Sequence, residues 1–288
     1  FEGWAMGGNN MRDADLMLRR LIKLRDEKLL ESGRDVIHFL GTSKLDWACV
    51  LTAVQRNLRK HVNENMKITY DCASPFLASA YGQVYTQHVH QNDRFSYIMT
   101  KALDNKKLAG SKISWPWSSP VGERMTMGDL CYYAPGMLNK LGKEGKTSWD
   151  SFSYFLMMGH NVYQHIESVQ RANALADSAG IIAQLNPHDW HKVKKGQDEY
   201  SEWVPRNVLY MCALVDKVFS SQTPYSELDK AQSLLADFNG KKTLKSSVAV
   251  FDDLFERDTA GDDNDSESFE FTEEQIEAGE QMLEDMLK

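Results

Sequence analysis

The hydrophobic pattern of the first third of the chain predicts three buried strands separated by two amphipathic helices. Apolar stretches at residues 1–8, 35–41 and 67–73 have the length of strands. The segments between them, residues 13–31 and 44–61, repeat leucine and other apolar residues at helical spacing. Two successive strand-helix-strand steps predict parallel strands covered by helices, which is an α/β fold.

The remainder of the chain has a different pattern. Residues 87–150 are irregular, and we interpret them as an insertion before a long amphipathic helix at residues 151–177. Further helical segments are predicted at residues 202–220 and 225–239. After these, residues 258–268 combine low hydrophobicity with one sign of charge, a composition typical of disordered segments.

Composition narrows the class of protein. The chain has 288 residues, of which 42% are hydrophobic and 26% charged, as is typical of soluble globular proteins. It contains no apolar run near the roughly 18 residues that a membrane span requires, and its first residues do not resemble a signal peptide. The four cysteines are widely separated, which favours reduced thiols. We therefore expect a cytoplasmic protein that does not associate with membranes.

Charge is distributed unevenly along the chain. Residues 252–288 contain 15 acidic and 2 basic residues, a net charge of −13. The preceding 251 residues contain 31 basic and 26 acidic residues, a net charge of +5. A mildly basic body is compatible with a polyanionic partner such as nucleic acid, and equally with an ordinary basic surface.

Asp71 is the most informative polar residue, because it lies at the C-terminal end of the third predicted strand. In parallel α/β proteins, sites are built at the carboxyl ends of the strands. Aspartate is also common as a turn or capping residue after a strand, so the pattern leaves both interpretations open. Gly7 and Gly8, at the end of the first predicted strand, suit either a plain turn or close approach of the backbone to a flat ligand.

Four segments of the chain carry distinctive motifs. The most specific is residues 70–86, YDCASPFLASAYGQVYT, with an Asp-Cys pair, a proline four residues after the aspartate, and a Gly-Gln-x-aromatic-Thr ending. The others are FEGWAMGGNNMRD at residues 1–13, VIHFLGTSK at 36–44 and MGHN at 158–161. In this order, these motifs resemble those of the tRNA-guanine transglycosylases and their relatives that insert 7-deazaguanines into DNA.

The resemblance implies a TIM barrel that exchanges a base in nucleic acid. Asp71 would be the catalytic nucleophile, attacking C1′ and holding the sugar covalently until an incoming base displaces the carboxylate. Leu40 stands where the family has a methionine that packs on the base face, so it would supply an apolar platform. The residues that the resemblance assigns to base binding are Gly7, Gly8, Asn9, Leu40 and Gln83.

Two departures from the family concern the nucleic acid. Leu77 and Ala80 occupy the positions of two arginines that contact tRNA in the family. Because arginine binds phosphate through two parallel hydrogen bonds, the replacement of these arginines predicts weaker binding of tRNA. We therefore expect DNA rather than tRNA as the acceptor, with a 7-deazaguanine as the incoming base.

The zinc motif of the family is also reduced. Cys131 and His160 are its only remnants, and two ligands cannot close a tetrahedral zinc site. We therefore expect no cofactor and no structural zinc, unless His88 or His90 completes the site. His160 is then expected to be a packed helix histidine.

Only about three strand-helix units precede residue 180, whereas a complete barrel has eight. The chain also lacks a counterpart of the first half of the family, so we expect it to be the carboxyl part of a (β/α)8 TIM barrel. The expected divisions are a transglycosylase-like barrel part at 1–180, a helical C-terminal extension at 181–255 and an acidic, partly disordered tail at 256–288.

The combined expectation is a base-exchanging pentosyltransferase that replaces guanine in nucleic acid with a 7-deazaguanine. The alternative is a non-catalytic nucleic-acid-binding or partner subunit that keeps the fold, because a chain without the first half of the barrel could not bind the incoming base in the usual way. Such a protein would assemble as a homo-oligomer or with a partner subunit.

Overall fold

The computed structural model of the protein describes residues 2–80, 82–91, 93–102, 108, 110–130, 151–192 and 203–239. These residues fall into two compact units. Unit 1 contains the described residues of Phe1–Ala73, Val89–Ser96 and Val169–Thr243. Unit 2 contains those of Ser74–His88 and Tyr97–Ser168. Cys131 and the tail at residues 256–288, on which predictions were made, lie outside the described residues.

Unit 1 contains a parallel sheet of three short strands. In spatial order they are β1 (Gly3–Met6), β2 (Val36–Phe39) and β3 (Lys67–Tyr70). The register places Met6 beside Phe39 and Phe39 beside Tyr70, so all three strands end at the same edge. The prediction of an α/β fold with parallel strands is confirmed, while the barrel stays a prediction.

Two helices connect these strands, as the pattern predicted. Helix α1 (Ala14–Asp26) begins after Asp13, whose Oδ1 accepts hydrogen bonds from the main-chain N–H groups of Asp15 and Leu16. This is the cap expected at a helix start, because it satisfies two otherwise unpaired donors. Helix α2 (Leu45–His61) follows β2 and buries most of its first four turns.

Three later helices belong to the same unit. Helix α6 (Arg206–Ser220) packs on α2, and it also contacts α7 (Pro224–Lys230) and α8 (Gln232–Asn239). Nearly every residue of α6 is buried, as expected for a helix that is apolar around most of its circumference. Helices from the region 181–255 therefore share a compact unit with the parallel strands.

Two further strands differ from the expectation that residues 87–150 are irregular. Strands β4 (Gln83–Gln91) and β5 (Arg94–Lys101) form a two-stranded sheet. Their residues 83–88 and 97–101 belong to unit 2, and residues 89–91 and 94–96 belong to unit 1. In β4 the apolar residues are few and are separated by threonine, glutamine and histidine, whereas in β5 Tyr97, Ile98 and Met99 follow one another without alternation. Neither segment therefore shows a clear strand pattern. Short helices α3 (Ser74–Ala80) and α4 (Met127–Leu130) also belong to unit 2.

The long helix α5 (Ser151–Ser178) confirms the helix predicted at residues 151–177. Its first part belongs to unit 2, where Met157 packs in a core with Val84, Trp115 and Met127. No helix within the described ranges combines the length and the hydrophobicity that crossing a bilayer would require.

Candidate functional site

The loops that follow the three parallel strands are joined by backbone hydrogen bonds. The N–H of Leu40 donates to the carbonyl of Met6 at 2.8 Å, and the N–H of Thr42 donates to the carbonyl of Asp71 at 2.8 Å. These bonds continue the strand pairing beyond the ends of the strands. The loops after β1, β2 and β3 are therefore held side by side at the carboxyl edge of the sheet.

Asp71 is the first residue after β3, and its side chain is 61% exposed. Its Oδ1 accepts a hydrogen bond from the N–H of Gly41 at 3.0 Å. Gly41 has φ of +79°, a conformation that glycine adopts at little cost. Within the described residues, no donor reaches Oδ2 of Asp71. One carboxylate oxygen is thus anchored while the other faces solvent, an arrangement suited to a nucleophile.

The loop after β1 lies against Leu40. A Cβ placed on Gly7 would come within 3.2 Å of Cδ1 of Leu40, so only glycine allows this close approach without a shift. Gly8 has φ of +60°, and a Cβ there would meet nothing within 4 Å. Leu40 is 47% exposed and therefore presents an apolar surface beside the open backbone of Gly8. A flat ligand could stack on this surface and reach main-chain polar groups.

Asn10 supports this loop and was not identified from the sequence. Its Nδ2 donates to the carbonyl of Gly7 at 2.8 Å, and its Oδ1 accepts from Arg20 on α1 at 2.7 Å. Asn10 is buried, so these bonds fix the loop to the first helix. An asparagine after Gly-Gly is ordinary in a turn, and the sequence held no signal of the contact with Arg20.

Asn9 belongs to the short 3-10 helix Gly8–Met11, directly beside these loops. Gln83, by contrast, begins β4 and belongs to unit 2, whereas the other five predicted site residues belong to unit 1. The carbonyl of Gln83 accepts a hydrogen bond from Nδ2 of Asn161 at 2.9 Å. The structure therefore brings together Gly7, Leu40 and Asp71 with the adjoining Gly8 and Asn9.

His38 and Thr69 also lie near Asp71, although we did not predict them as site residues. Nδ1 of His38 is 2.8 Å from Oγ1 of Thr69, and Nε2 of His38 is 3.7 Å from Oδ1 of Asp71. Both residues occur within predicted strands, where alternation alone places them on the face opposite Ile37 and Phe39. That alternation is the signal by which they could have been found.

His160 and the other possible metal ligands can be compared with the metal prediction. In the described ranges, no group of three histidine, cysteine, aspartate or glutamate side chains is arranged to hold a metal ion. His160 is fully buried, with Nδ1 2.8 Å from Oγ of Ser119 and Nε2 2.9 Å from the carbonyl of Tyr85. Burial lowers the pKa of His160, so the neutral ring is favoured. His160 is a packed helix histidine, as predicted.

A separate cleft of about 230 Å³ lies elsewhere in unit 1. Its charged lining includes Arg56, whose guanidinium pairs with both carboxylate oxygens of Asp177 at 2.6 and 2.7 Å. Its lining also includes Cys49 and Cys212, and burial raises the pKa of Cys212 to about 12. The Cys212 thiol is therefore protonated at neutral pH and is a poor nucleophile. The exposed carboxylate of Asp71 is the better candidate for covalent chemistry.

No family model, curated protein or solved structure matches the chain in comparisons with known proteins.

Proposed function

We propose that the protein is a base-exchanging pentosyltransferase that replaces guanine in nucleic acid with a 7-deazaguanine. The observation that carries the proposal is the exposed carboxylate of Asp71 at the carboxyl edge of a parallel sheet. Its position beside the Gly7-Gly8 loop and Leu40 provides both a nucleophile and a surface for a planar base. The motif resemblance supports the same assignment.

The exchange requires two displacements at C1′ of the sugar. In the first, Oδ2 of Asp71 forms a bond to C1′ while the bond from C1′ to guanine breaks, and the electron pair leaves with the base. In the second, a nitrogen of the 7-deazaguanine bonds to C1′ and the ester bond to Asp71 breaks. The proton lost by the incoming base balances the one gained by guanine, so the carboxylate is regenerated.

The finer parts of the proposal follow from the sequence. DNA is the favoured acceptor, because Leu77 and Ala80 replace the two arginines with which the family contacts tRNA. The parallel strands would belong to the carboxyl part of a TIM barrel, and the protein would work without zinc. Gln83, at the start of β4, is the remaining residue that the resemblance assigns to base binding.

A second function is favoured by one contact of Asp71 itself. The hydrogen bond from the Gly41 N–H to Oδ1 ties the loop after β2 to the loop after β3. An aspartate could be required for that bond alone, since carboxylates commonly accept from backbone groups in turns. The protein would then be a nucleic-acid-binding or partner subunit that performs no exchange.

The test is Asp71→Asn in the full-length protein. Asparagine keeps an oxygen that can accept from Gly41 but cannot form the covalent ester, so the fold should persist while exchange of labelled guanine falls by roughly a thousandfold or more. The substrates are duplex DNA, single-stranded DNA and tRNA, with release of label and covalent adduct measured together. Thermal unfolding shows whether the variant remains folded.

Asp229→Asn serves as the matched control, because its carboxylate is 67% exposed on α7 and lies outside the proposed site. Exchange by Asp71→Asn at the rate of the unmodified protein would contradict the catalytic role. If the unmodified protein and Asp71→Asn bind nucleic acid equally well and neither exchanges guanine, the non-catalytic subunit would be supported instead.

A further inference from the structure

A histidine and a threonine extend the site from Asp71 across the sheet. His38 lies in the middle of β2, and the parallel register places it directly beside Thr69 of β3. The ring nitrogen Nδ1 is 2.8 Å from Oγ1 of Thr69, and the other nitrogen, Nε2, is 3.7 Å from Oδ1 of Asp71. The imidazole therefore lies between a hydroxyl and the proposed nucleophile.

The strand geometry explains why these three side chains meet. Successive side chains of a strand point to opposite faces, and Ile37 and Phe39 on either side of His38 are fully buried. His38 consequently faces the other side of the sheet, where its side chain is 34% exposed. Asp71 follows Thr69 by two positions and so continues the same row. The three polar groups line an open face at the carboxyl edge.

We infer that His38 is a positioning residue for Asp71, an inference that rests on the proposed function. When the Thr69 hydroxyl donates to Nδ1, the proton of the neutral ring is on Nε2, facing Oδ1 of Asp71. The Gly41 N–H donates to Oδ1 at 3.0 Å, and the Nε2–H group faces the same oxygen at 3.7 Å, which is longer than a direct hydrogen bond. The N–H dipole of His38 therefore orients the carboxylate electrostatically. Oδ2 is then the oxygen that forms the bond to C1′.

Orientation of this kind matters because a displacement at carbon requires an oxygen in line with the departing base. His38 acts on the carboxylate of Asp71 and does not itself touch the substrate. Loss of such a supporting donor typically reduces turnover by about 10 to 100-fold. Substrate binding depends on other groups, so the Michaelis constant should change little.

Two substitutions of His38 distinguish the roles of its two ring nitrogens. His38→Gln retains an N–H near the position of Nε2, whereas His38→Asn retains polar atoms only near Nδ1. We expect kcat to fall by about 10 to 100-fold in His38→Asn and by less than about threefold in His38→Gln, with KM nearly constant in both. Thr69→Val removes the hydroxyl with little change of shape, and we expect kcat to fall by about tenfold.

The pairing of His38 with Asp71 can also be measured by NMR, without any base-exchange activity. Long-range proton-nitrogen NMR of the imidazoles should show His38 with its proton on Nε2, and Asp71→Asn should shift the Nε2 resonance. Thr69→Val should produce a mixture of the two tautomers, because nothing then selects Nδ1 as the acceptor.

The outcomes distinguish the two proposals. The positioning role of His38 would be overturned if kcat were equal in the His38→Asn and unmodified proteins. It would also be overturned if Asp71→Asn left the chemical shift of Nε2 unchanged. Absence of exchange in the unmodified protein, with the NMR responses as expected, would overturn the proposed function and leave the pairing of His38 with Asp71 intact. Equal losses in His38→Gln and His38→Asn would also refute the role of Nε2.

Discussion

At the scale of single residues, two aspartates of unit 1 have opposite environments. Asp71 is largely exposed, whereas Asp46 in the first turn of α2 is only 3% exposed. The carboxylate of Asp46 accepts from the N–H of Phe95 at 3.0 Å and from Arg94 at 3.3 Å. Burial raises the pKa of Asp46 to about 6, even though the charge of Arg94 opposes that effect.

Asp46 should therefore make stability depend on pH. Because its pKa in the folded protein lies above the ordinary value of 3.8, its favourable contribution is complete below that value and is lost as pH rises through about 6. At about 1.4 kcal/mol per pH unit, the loss is on the order of 3 kcal/mol. Urea unfolding between about pH 4 and pH 7 should show this decline in the unmodified protein but not in Asp46→Asn.

Arg94→Gln provides the complementary variant. Removing the charge of Arg94 leaves nothing to oppose the effect of burial on Asp46, so the pKa of Asp46 should rise further. The decline of the unfolding free energy with pH should then be larger than in the unmodified protein. Parallel pH curves for the unmodified protein and Asp46→Asn would show that this carboxyl does not titrate differently on folding.

At the scale of secondary-structure elements, Asn161 connects three of them in unit 2. It lies on α5 and is fully buried. Its Oδ1 accepts from the N–H of Tyr85 on β4 at 2.9 Å, and its Nδ2 donates to Oγ of Ser79 on α3 at 2.9 Å. Nδ2 also donates to the carbonyl of Gln83 at 2.9 Å. The asparagine of the MGHN motif is thus a structural connection between helix and strand.

We expect Asn161→Leu to destabilise the protein by about 3 kcal/mol, because it removes the hydrogen bonds of this buried side chain to the Tyr85 N–H, to Oγ of Ser79 and to the carbonyl of Gln83. Asn173→Leu is the matched control on the same helix, where the side chain donates only to the carbonyl of Val169 four residues earlier. That change should cost less than about 1 kcal/mol. Chemical denaturation measures both, and equal losses would contradict the role of Asn161.

At the scale of the whole molecule, each compact unit is assembled from segments that are distant in sequence. Unit 1 combines the parallel strands with helices that begin more than a hundred residues later. The charge of the chain is also separated, since residues 252–288 have a net charge of −13 and the rest a net charge of +5. If the protein binds nucleic acid, we expect the covalently attached acidic segment to compete with phosphates for the same positive surface.

Removal of residues 256–288 should therefore tighten nucleic-acid binding and leave exchange at saturating substrate unchanged. Fluorescence anisotropy with single-stranded and duplex DNA measures the affinity at several salt concentrations. The difference between the full-length and truncated proteins should shrink as salt rises, because screening shortens the reach of the charges.

Equal affinities at low salt would show that the acidic segment does not compete for the nucleic-acid site. A variant in which the acidic residues of 256–288 are replaced by asparagine and glutamine is the matched control, since it keeps the length and removes the charge. It should behave like the truncated protein if the competition is electrostatic.

Local patterns predicted the core of unit 1 well. The parallel strands were predicted because strand-length apolar runs alternate with helical repeats, and α5 because its apolar residues recur along one face. The pattern failed for β4, where glutamine and histidine interrupt the apolar residues, and for β5, where Tyr97, Ile98 and Met99 follow one another without alternation. Tyr85 and Tyr97 are nevertheless buried there, since burial depends on the neighbouring elements.

The sequence alone determined the order of the parallel strands and their ends to within three residues, and so placed Asp71 and Gly7 at one edge. Tertiary structure decided what surrounds them: that Leu40 packs against Gly7, that His38 stands 3.7 Å from Asp71, and that α6 is buried against α2. The physical reason is that the hydrophobic periods of strands and helices are local properties, visible within a few consecutive residues. Contacts across the sheet depend on register and packing, which join residues far apart in the chain.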